Sequence, residues 1–348
     1  MASENGLGVI EIKSFTAVNF RLESGEILPE LKLSYETYGT LAPGGRNAIL
    51  VTHGYTSSQH AAGLDANGEP GWWDGLIGPA KAIDTDKYFV VSSNMLGSSY
   101  GSTAPASINP KTGLRYGPDF PDFSLVDIVT AQRALLDALG VKHLVAVAGL
   151  SFGGYQAFQW GVTFPDAMTG IVPVVTAPSA TDGDRMVADL RARFAEAPGW
   201  NGGHHYGNAE MIGFMTELRV ATLKRYGIEA ELAPRFPDVS KREAAIQKLA
   251  EPWAKAFDPN SMIGLARARS HYNAEKDFAK IRAKVLYVLS RTDKLFPPSI
   301  APAVMAKLKA AGVDANYFEI DSDKGHLASG ADWQKWVHVL RDFLKSLE

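Results

Sequence analysis

Short apolar runs rich in β-branched and aromatic residues recur along the chain, separated by longer segments whose apolar residues return every three or four positions. The short runs predict strands and the longer segments predict helices. Eight strands are expected, at residues 10–20, 31–38, 48–52, 88–92, 144–148, 171–175, 285–289 and 317–320. The first strands have a hairpin-like arrangement and the later ones alternate with helices, so we expect a mostly parallel sheet covered on both faces.

Two predicted helices have clear apolar faces. Residues 124–139 begin with the capping pattern Ser124-x-x-Asp127, carry one apolar stripe and end before Gly140, where a C-terminal cap belongs. Residues 333–347 repeat such a stripe at the end of the chain. Both stripes predict packing against the core.

The strand pattern disappears between residues 176 and 283. Helix-like pieces at 184–197, 209–226 and 240–257 are separated there by glycine and proline clusters. An insertion of this kind would lie over the carboxyl ends of the strands, where ligands bind in parallel sheets. We therefore expect a core formed by residues 1–175 and 284–348, and a helical lid formed by residues 176–283.

The segment Gly149-Leu-Ser-Phe-Gly153 joins a predicted strand to a predicted helix. The turn is too tight for side chains on either side of the serine, which is held in a strained conformation that exposes its hydroxyl. Strand, turn and helix in this order form the nucleophile elbow of α/β-hydrolases. The segment predicts an α/β-hydrolase fold, with a mostly parallel eight-stranded sheet and an inserted helical lid, and Ser151 as its nucleophile.

A second segment, Gly97-Ser-Ser-Tyr-Gly101, has the same spacing and also follows a strand-like run. Pro105 and Pro110 come shortly after it and prevent a helix from starting there. Without a helix, no dipole end would stabilise charge beside the serine. Ser99 is therefore the weaker candidate for the nucleophile.

A serine hydroxyl needs a base within hydrogen-bonding distance and an acid that orients this base. In α/β-hydrolases the acid and then the histidine follow the serine along the chain. His326 lies in the loop between the last strand and the last helix, and Asp293 follows the preceding strand in a proline-stiffened turn. We therefore expect Ser151, Asp293 and His326 to form a catalytic triad.

Other residues compete for these roles. Asp321 and Asp323 are close to the base in sequence, but they follow the last strand rather than the one before it. His338 lies in the final helix, where packing is its expected role, and His204 and His205 lie in a glycine-rich loop of the lid. No third ligand accompanies the two adjacent histidines, so no metal site is expected.

Two backbone N–H groups are expected to bind the oxyanion that forms during acyl transfer. One belongs to Phe152, directly after the nucleophile, and the other is assigned to Tyr55, in the loop after the third strand. His53 begins the same loop. We expect it to support the loop rather than to act as the base.

Composition excludes several other classes of protein. Apolar residues make up 46% and charged residues 21% of the 348 residues, as in ordinary globular proteins. The net charge is −3 with no basic block, so neither nucleic acid nor an anionic membrane is an expected partner. No apolar run approaches the roughly eighteen residues of a membrane span, no secretion signal is recognised, and there are no cysteines. A cytoplasmic enzyme without a cofactor is expected.

Further motifs lie outside the elbow. They are Gly71-Trp-Trp-Asp-Gly-Leu-Ile-Gly-Pro79, Asp84-Thr-Asp-Lys-Tyr-Phe-Val-Val91, Asn94-Met-Leu-Gly97, Tyr100-Gly-Ser-Thr103, Ser107-Ile-Asn-Pro110, Tyr116-Gly-Pro-Asp-Phe-Pro121, Asp293-Lys-Leu-Phe-Pro-Pro298 and Gly325-His326. Together they resemble the homoserine O-acetyltransferases over nearly the whole chain. This resemblance implies a lid-bearing α/β-hydrolase fold, a homodimer formed through the lid, the same triad, and acylation of the serine by acetyl-CoA before transfer to an alcohol.

Two positions depart from the pattern of the family. Leu327 follows the histidine where the family has an aspartate that binds the substrate ammonium. Leu218 and Arg225 stand at the lid positions where the family has an arginine and a tyrosine, although a shift of one residue would restore Arg219. Because a desolvated ammonium without a counter-charge costs about several kcal/mol, a zwitterionic acceptor is not expected.

From the sequence alone we therefore favour a serine esterase that hydrolyses short-chain acyl esters, with acetates expected and Leu327 in the substrate pocket. The alternative is an O-acetyltransferase that moves an acyl group from acyl-CoA to a hydroxyl acceptor such as homoserine. A catalytically inactive binding protein on the same fold is disfavoured because nucleophile, acid and base are all present.

Overall fold

The computed structural model describes residues 6–348, and these form ten strands and ten α-helices. The strands are β1 (Lys13–Arg21), β2 (Ile27–Tyr38), β3 (Ala48–Thr52), β4 (Ile77–Gly78), β5 (Ile83–Asp84), β6 (Phe89–Ser93), β7 (Leu144–Leu150), β8 (Met168–Val174), β9 (Lys284–Ser290) and β10 (Ala315–Ile320). The helices are α1 (Leu125–Ala138), α2 (Phe152–Thr163), α3 (Arg185–Ala195), α4 (Glu210–Tyr226), α5 (Ile228–Leu232), α6 (Val239–Ala256), α7 (Pro259–Ser270), α8 (Ala301–Ala310), α9 (Ala328–Ala331) and α10 (Val337–Lys345).

Eight strands form one sheet in the order β1-β2-β6-β3-β7-β8-β9-β10. The pairs β1–β2 and β2–β6 are antiparallel, and every pair from β6 to β10 is parallel. The predicted mostly parallel, eight-stranded sheet is confirmed. β4 and β5 form a separate two-stranded sheet that the sequence pattern did not predict.

The sheet is buried on both faces. Along β3, Leu50 packs in an apolar cluster with α1 and α2, whereas Ile49 and Val51 pack in a second cluster with α10. All five residues of β3 are buried. This explains why the central strands appear in the sequence as continuous apolar runs rather than as alternating ones.

Helix α1 has the predicted caps. Ser124 Oγ accepts a hydrogen bond from the Asp127 N–H, and the Asp127 carboxylate accepts one from the Ser124 N–H. Gly140 follows the helix with a φ of 84°, a conformation that favours glycine.

The predicted final helix at 333–347 is wrong in one respect, because the structure divides it. A short 3₁₀ turn covers Trp333–Lys335 and α10 begins at Val337. Trp336 between them has φ −134° and ψ −2°, outside the helical region. Its indole is fully buried and donates to Ser329 O at 3.0 Å, so burial of this ring holds the chain in the break.

Between β8 and β9 the described chain contains helices and no strand. Helices α3, α4 and α6 match the three predicted pieces to within a few residues. Helix α7 was not predicted, although Asp258 caps it by accepting from the Asn260 N–H and Pro259 occupies its first position. Helices α4 and α6 pack together through Leu223 and Ile246.

Candidate active site

Ser151 lies in the turn between β7 and α2, with φ 56° and ψ −118°. A Cβ on Gly149 would lie 2.1 Å from Thr52 Oγ1, and one on Gly153 would lie 2.0 Å from Thr52 O. The turn is pressed against the end of β3, so only glycine fits on either side of the serine. The structure therefore contains the strained elbow that the sequence predicted.

The three residues predicted to form a triad are joined by hydrogen bonds. His326 Nε2 lies 2.9 Å from Ser151 Oγ, and His326 Nδ1 lies 2.8 Å from Asp293 Oδ2. Each residue follows the carboxyl end of a parallel strand, β7, β9 or β10, and these ends meet at one edge of the sheet. An ionised Asp293 only accepts hydrogen bonds, so it places the proton on Nδ1 and leaves Nε2 to accept from the serine hydroxyl.

The carboxylate of Asp293 is fixed by its own turn. Its Oδ1 atom accepts from the N–H groups of Leu295 and Phe296 at 2.8 and 3.2 Å, and its side chain is fully buried. These bonds leave Oδ2 directed at the imidazole. The proline-stiffened turn recognised in the sequence thus orients the acid.

The loop that carries His326 is held on two sides. The Gly325 N–H donates to Thr292 Oγ1 at 3.1 Å, and Gly325 has a φ of 55°. The rings of Tyr226 and Phe296 lie 5.0 and 5.7 Å from the imidazole, measured between centroids. The imidazole is therefore packed between a ring of α4 and a ring of the acid's turn.

The competing carboxylates and serine have other partners. Asp321 and Asp323 both pair with the exposed Arg291, with N–O distances of 2.6 and 2.7 Å. Ser99 Oγ accepts from the Asp258 N–H at 2.9 Å, which joins the loop after β6 to the start of α7. Neither arrangement brings these groups to the imidazole of the triad.

The remaining histidines lie apart from Ser151. His205 Nε2 is 3.5 Å from Asp258 Oδ1, His338 packs against the ring of Phe318, and His204 lies in the loop after Gly203. Within residues 6–348 no group of three or more potential ligand side chains could hold a metal ion. No helix of the same residues is long and apolar enough to cross a bilayer.

The two residues predicted to supply oxyanion N–H groups lie next to each other. The rings of Tyr55 and Phe152 stack with centroids 5.8 Å apart, and both residues border the cavity that contains Ser151. Phe152 is the first residue of α2, so its N–H has no acceptor within the helix. The Tyr55 hydroxyl donates to Met262 O, which ties this loop to α7.

His53 is buried behind the Tyr55 loop. Its Nδ1 atom lies 2.8 Å from Gly54 O and its Nε2 atom lies 2.9 Å from Asn94 Oδ1. Burial lowers the pKa of His53 to about 4, so the ring is neutral near pH 7. These contacts agree with a supporting role for His53.

Two cavities meet at Ser151. The smaller has a volume of about 310 Å³ and is bordered by His326, Leu327 and the α4 residues Arg219, Leu223 and Tyr226. The larger has a volume of about 560 Å³ and extends towards α3 and α7. The nucleophile is therefore reached from two sides beneath the helical segment.

Arg219 lies at the border of both cavities. Its Nη1 donates to Thr56 Oγ1 at 2.9 Å, and its guanidinium carbon lies 4.9 Å from the ring centroid of Trp253. Among the described residues it has no carboxylate within salt-bridge distance, and its buried Nε atom has no acceptor. Burial lowers the pKa of the guanidinium.

Comparison with known proteins shows where this arrangement belongs. Residues 47–209 match a family described as the alpha/beta hydrolase fold. The chain is 38% identical over 352 residues to a homoserine O-acetyltransferase of Symbiobacterium thermophilum, covering 94% of this chain and 92% of that protein. The chain belongs to the homoserine O-acetyltransferase family. The resemblance predicted from the motifs is thereby confirmed.

Solved structures similar to this family member carry two kinds of name. The homoserine O-acetyltransferase from Bacillus anthracis has a TM-score of 0.85 and 30% identity, covering 97% of this chain and 98% of that one. Esterase E22 has a TM-score of 0.86 and 28% identity, covering 96% and 100%. The same backbone therefore occurs in proteins named for acyl transfer and for ester hydrolysis.

The structure favours the shifted register in the lid helix. Arg219, Leu223 and Tyr226 are spaced by four and three residues, so they share one face of α4, and this face borders the smaller cavity. Leu218 is buried in the core, and Arg225 borders only the larger cavity. The expected loss of the family's arginine and tyrosine is thus wrong. Leu327, in contrast, borders the smaller cavity as expected.

Proposed function

We propose that this chain is an O-acetyltransferase that moves an acetyl group from an acyl-CoA to a small hydroxyl acceptor through an acyl-enzyme on Ser151. The proposal rests mainly on the Ser151–His326–Asp293 hydrogen bonds at a cavity that also contains the carboxylate-free guanidinium of Arg219. The relatives named homoserine O-acetyltransferase support transfer over hydrolysis. The sequence alone favoured hydrolysis, which becomes the second candidate.

In the first half-reaction Ser151 Oγ attacks the thioester carbonyl carbon while His326 Nε2 takes the hydroxyl proton. Asp293 stabilises the imidazolium that forms. The N–H groups of Tyr55 and Phe152 are assigned to the oxyanion of the tetrahedral intermediate. The carbon–sulfur bond then breaks, and the thiol leaves with the proton from the imidazolium.

In the second half-reaction the acceptor hydroxyl gives its proton to His326 Nε2 and its oxygen attacks the acyl carbon. The bond between Ser151 Oγ and the acyl carbon breaks, and Ser151 regains the proton from the imidazolium. The product is the O-acyl ester of the acceptor and free enzyme. Water in place of the acceptor would give hydrolysis by the same steps.

The larger cavity supports an anionic acyl donor. Five arginines and two aspartates border it, and they are Arg185, Arg193, Arg219, Arg225, Arg269, Asp182 and Asp189. Asp182 is already paired with Arg269 through two hydrogen bonds at 2.6 and 2.9 Å. The remaining excess of positive charge suits the phosphates of a CoA thioester, because guanidinium groups bind phosphate in a bidentate manner.

Ester hydrolysis is the second candidate because of Leu327. An isobutyl side chain borders the cavity beside His326, where a carboxylate for a substrate ammonium is missing. The likeness to esterase E22 supports this candidate. Either function uses the same acyl-enzyme, so the two differ only in what attacks it.

The test of the proposal is acceptor-dependent release of thiol from acetyl-CoA. We expect the rate with added hydroxyl acceptors, including homoserine and simple alcohols, to exceed the rate in buffer alone, with an O-acetyl product detected by mass spectrometry. Hydrolysis of p-nitrophenyl acetate by the same preparation serves as the comparison. If every acceptor leaves thiol release unchanged while p-nitrophenyl acetate is hydrolysed efficiently, the protein is an esterase.

We further propose that residues 176–283 act as a lid and form most of a homodimer interface. Val239 and Leu249 of α6 are 61% and 51% exposed, which supports an apolar contact with a second copy. Light scattering at micromolar protein is expected to give twice the chain mass of 37.6 kDa, and Leu249→Lys is expected to shift the mass towards the monomer. A monomeric wild type would remove the dimer proposal. A cytoplasmic location stays a prediction.

A further inference from the structure

The smaller cavity beside Ser151 contains a cation whose counter-charge is absent from the described chain. The guanidinium of Arg219 contacts a hydroxyl of Thr56 and the indole face of Trp253, but no carboxylate of residues 6–348. A cation held away from water without a counter-charge raises the free energy of the folded protein. A carboxylate on a bound ligand would remove this cost and gain charge-assisted hydrogen bonds.

The wall beside the base is apolar. Leu327 follows His326, and Leu150, Leu223 and Trp72 also border this cavity. None of the described residues that border it is an aspartate or a glutamate. An ammonium bound here would lose its hydration without gaining a counter-charge, and it would share the cavity with a guanidinium that repels it.

We propose that the acyl acceptor is a short hydroxy carboxylate without an ammonium group. Its carboxylate binds Arg219, its hydroxyl lies at His326 Nε2, and its carbon chain packs against Leu327. This inference rests on the proposed acyl-enzyme at Ser151. The acceptor hydroxyl loses its proton to His326, forms the bond to the acyl carbon, and leaves as an O-acyl hydroxy acid while Ser151 is regenerated.

Helix α4 fixes both halves of this recognition. Arg219, Leu223 and Tyr226 lie on one face of the helix, so the cation, the apolar wall and the ring against His326 are presented together. Stacking on Trp253 and the bond to Thr56 hold the guanidinium plane in one orientation, as bidentate binding of a carboxylate requires. A volume of about 310 Å³ suits a small acid.

The test compares three acceptors with the same four-carbon chain, 4-hydroxybutanoate, homoserine and butane-1,4-diol, with acetyl-CoA as donor. The diol lacks the carboxylate, and homoserine adds the ammonium. We expect kcat/KM for 4-hydroxybutanoate to exceed that for each of the others by roughly tenfold or more, since a charge-assisted hydrogen bond supplies a factor of this order. Thiol release and mass spectrometry of the ester are the readouts.

Variants separate the two halves of the site. Arg219→Met is expected to remove the preference for 4-hydroxybutanoate over the diol, mainly through a higher KM, and Arg219→Lys to keep part of it. Leu327→Asp is expected to move the preference from 4-hydroxybutanoate towards homoserine. The matched control is Arg282→Met, which removes an exposed arginine paired with Asp166 and is expected to leave the acceptor order unchanged.

Two outcomes overturn the inference. One is a wild type that uses homoserine or the diol as well as 4-hydroxybutanoate, and the other is a preference for the acid that survives in Arg219→Met. Failure of the proposed function looks different, because no acceptor would then accelerate thiol release. Hydrolysis of p-nitrophenyl acetate, followed in each variant, shows whether the Ser151 chemistry is intact in either case.

Discussion

Replacement of Ser151 by alanine is expected to lower kcat for acyl transfer and for ester hydrolysis by about 10⁴-fold or more. The side chain is the only hydroxyl joined to His326, and without it the acyl group has no oxygen on which to rest. Glycines press the elbow against β3, and alanine at the serine position itself keeps that backbone. The loss should therefore appear in kcat with the melting temperature little changed, measured with p-nitrophenyl acetate and by calorimetry.

Ser99→Ala is the matched control, because Ser99 lies in a segment of the same Gly-x-Ser-x-Gly spacing. Its hydroxyl accepts from the Asp258 N–H and does not reach the imidazole. The variant is expected to lose about 1 kcal/mol of stability and to keep most of its activity. A fluorophosphonate adduct mapped by mass spectrometry to Ser99 instead of Ser151 would contradict the assignment.

The elbow could be predicted from the sequence because its constraints are local. Gly149 and Gly153 are excluded from any other residue type by contacts of 2.0 to 2.1 Å with Thr52, and such close approaches leave a recognisable glycine spacing. Ser99 shows what local spacing alone cannot decide. Only the start of a helix after the serine separates the two segments, and the prolines after Ser99 removed it.

The acid and base could be predicted because a parallel sheet brings distant loops together. Asp293 and His326 are far from Ser151 in sequence, yet each follows the carboxyl end of a strand in the same parallel set. The order of elements along the chain is therefore enough to place all three at one edge. Their distances of 2.8 and 2.9 Å come from turns such as the one that fixes Asp293, which the sequence indicates only through its prolines.

The phase of the lid helix could not be predicted, because a shift of one residue rotates a helix by about 100°. That shift decides whether Leu218 or Arg219 faces the nucleophile, and with it whether the cavity contains a cation. A spacing of seven residues joins Arg219 to Tyr226 and would have favoured the correct face. Helix α7 was missed because its residues are small and mixed in polarity, although it supplies the carbonyl of Met262 to Tyr55.

Loss of the base or of its acid is the second large effect that we expect. His326→Ala removes the group that takes the proton from Ser151 and should lower kcat by about 10⁴-fold or more. Asp293→Asn keeps the shape of the side chain but can donate to Nδ1, which favours the tautomer that places the imidazole proton on Nε2. The serine then meets a donor instead of an acceptor, and kcat should fall by about 10³- to 10⁴-fold.

The controls for this prediction are Asp321→Asn and Asp323→Asn. Both carboxylates are exposed and share Arg291 as their partner, and exposed ion pairs contribute about 1 kcal/mol or less. Each control should therefore keep nearly full kcat, measured with the same acetate ester in parallel with the two triad variants. A severe loss in either control, together with a mild effect of Asp293→Asn, would mean that the acid comes from the loop after β10 and that the hydrogen bond to Asp293 does not orient the base.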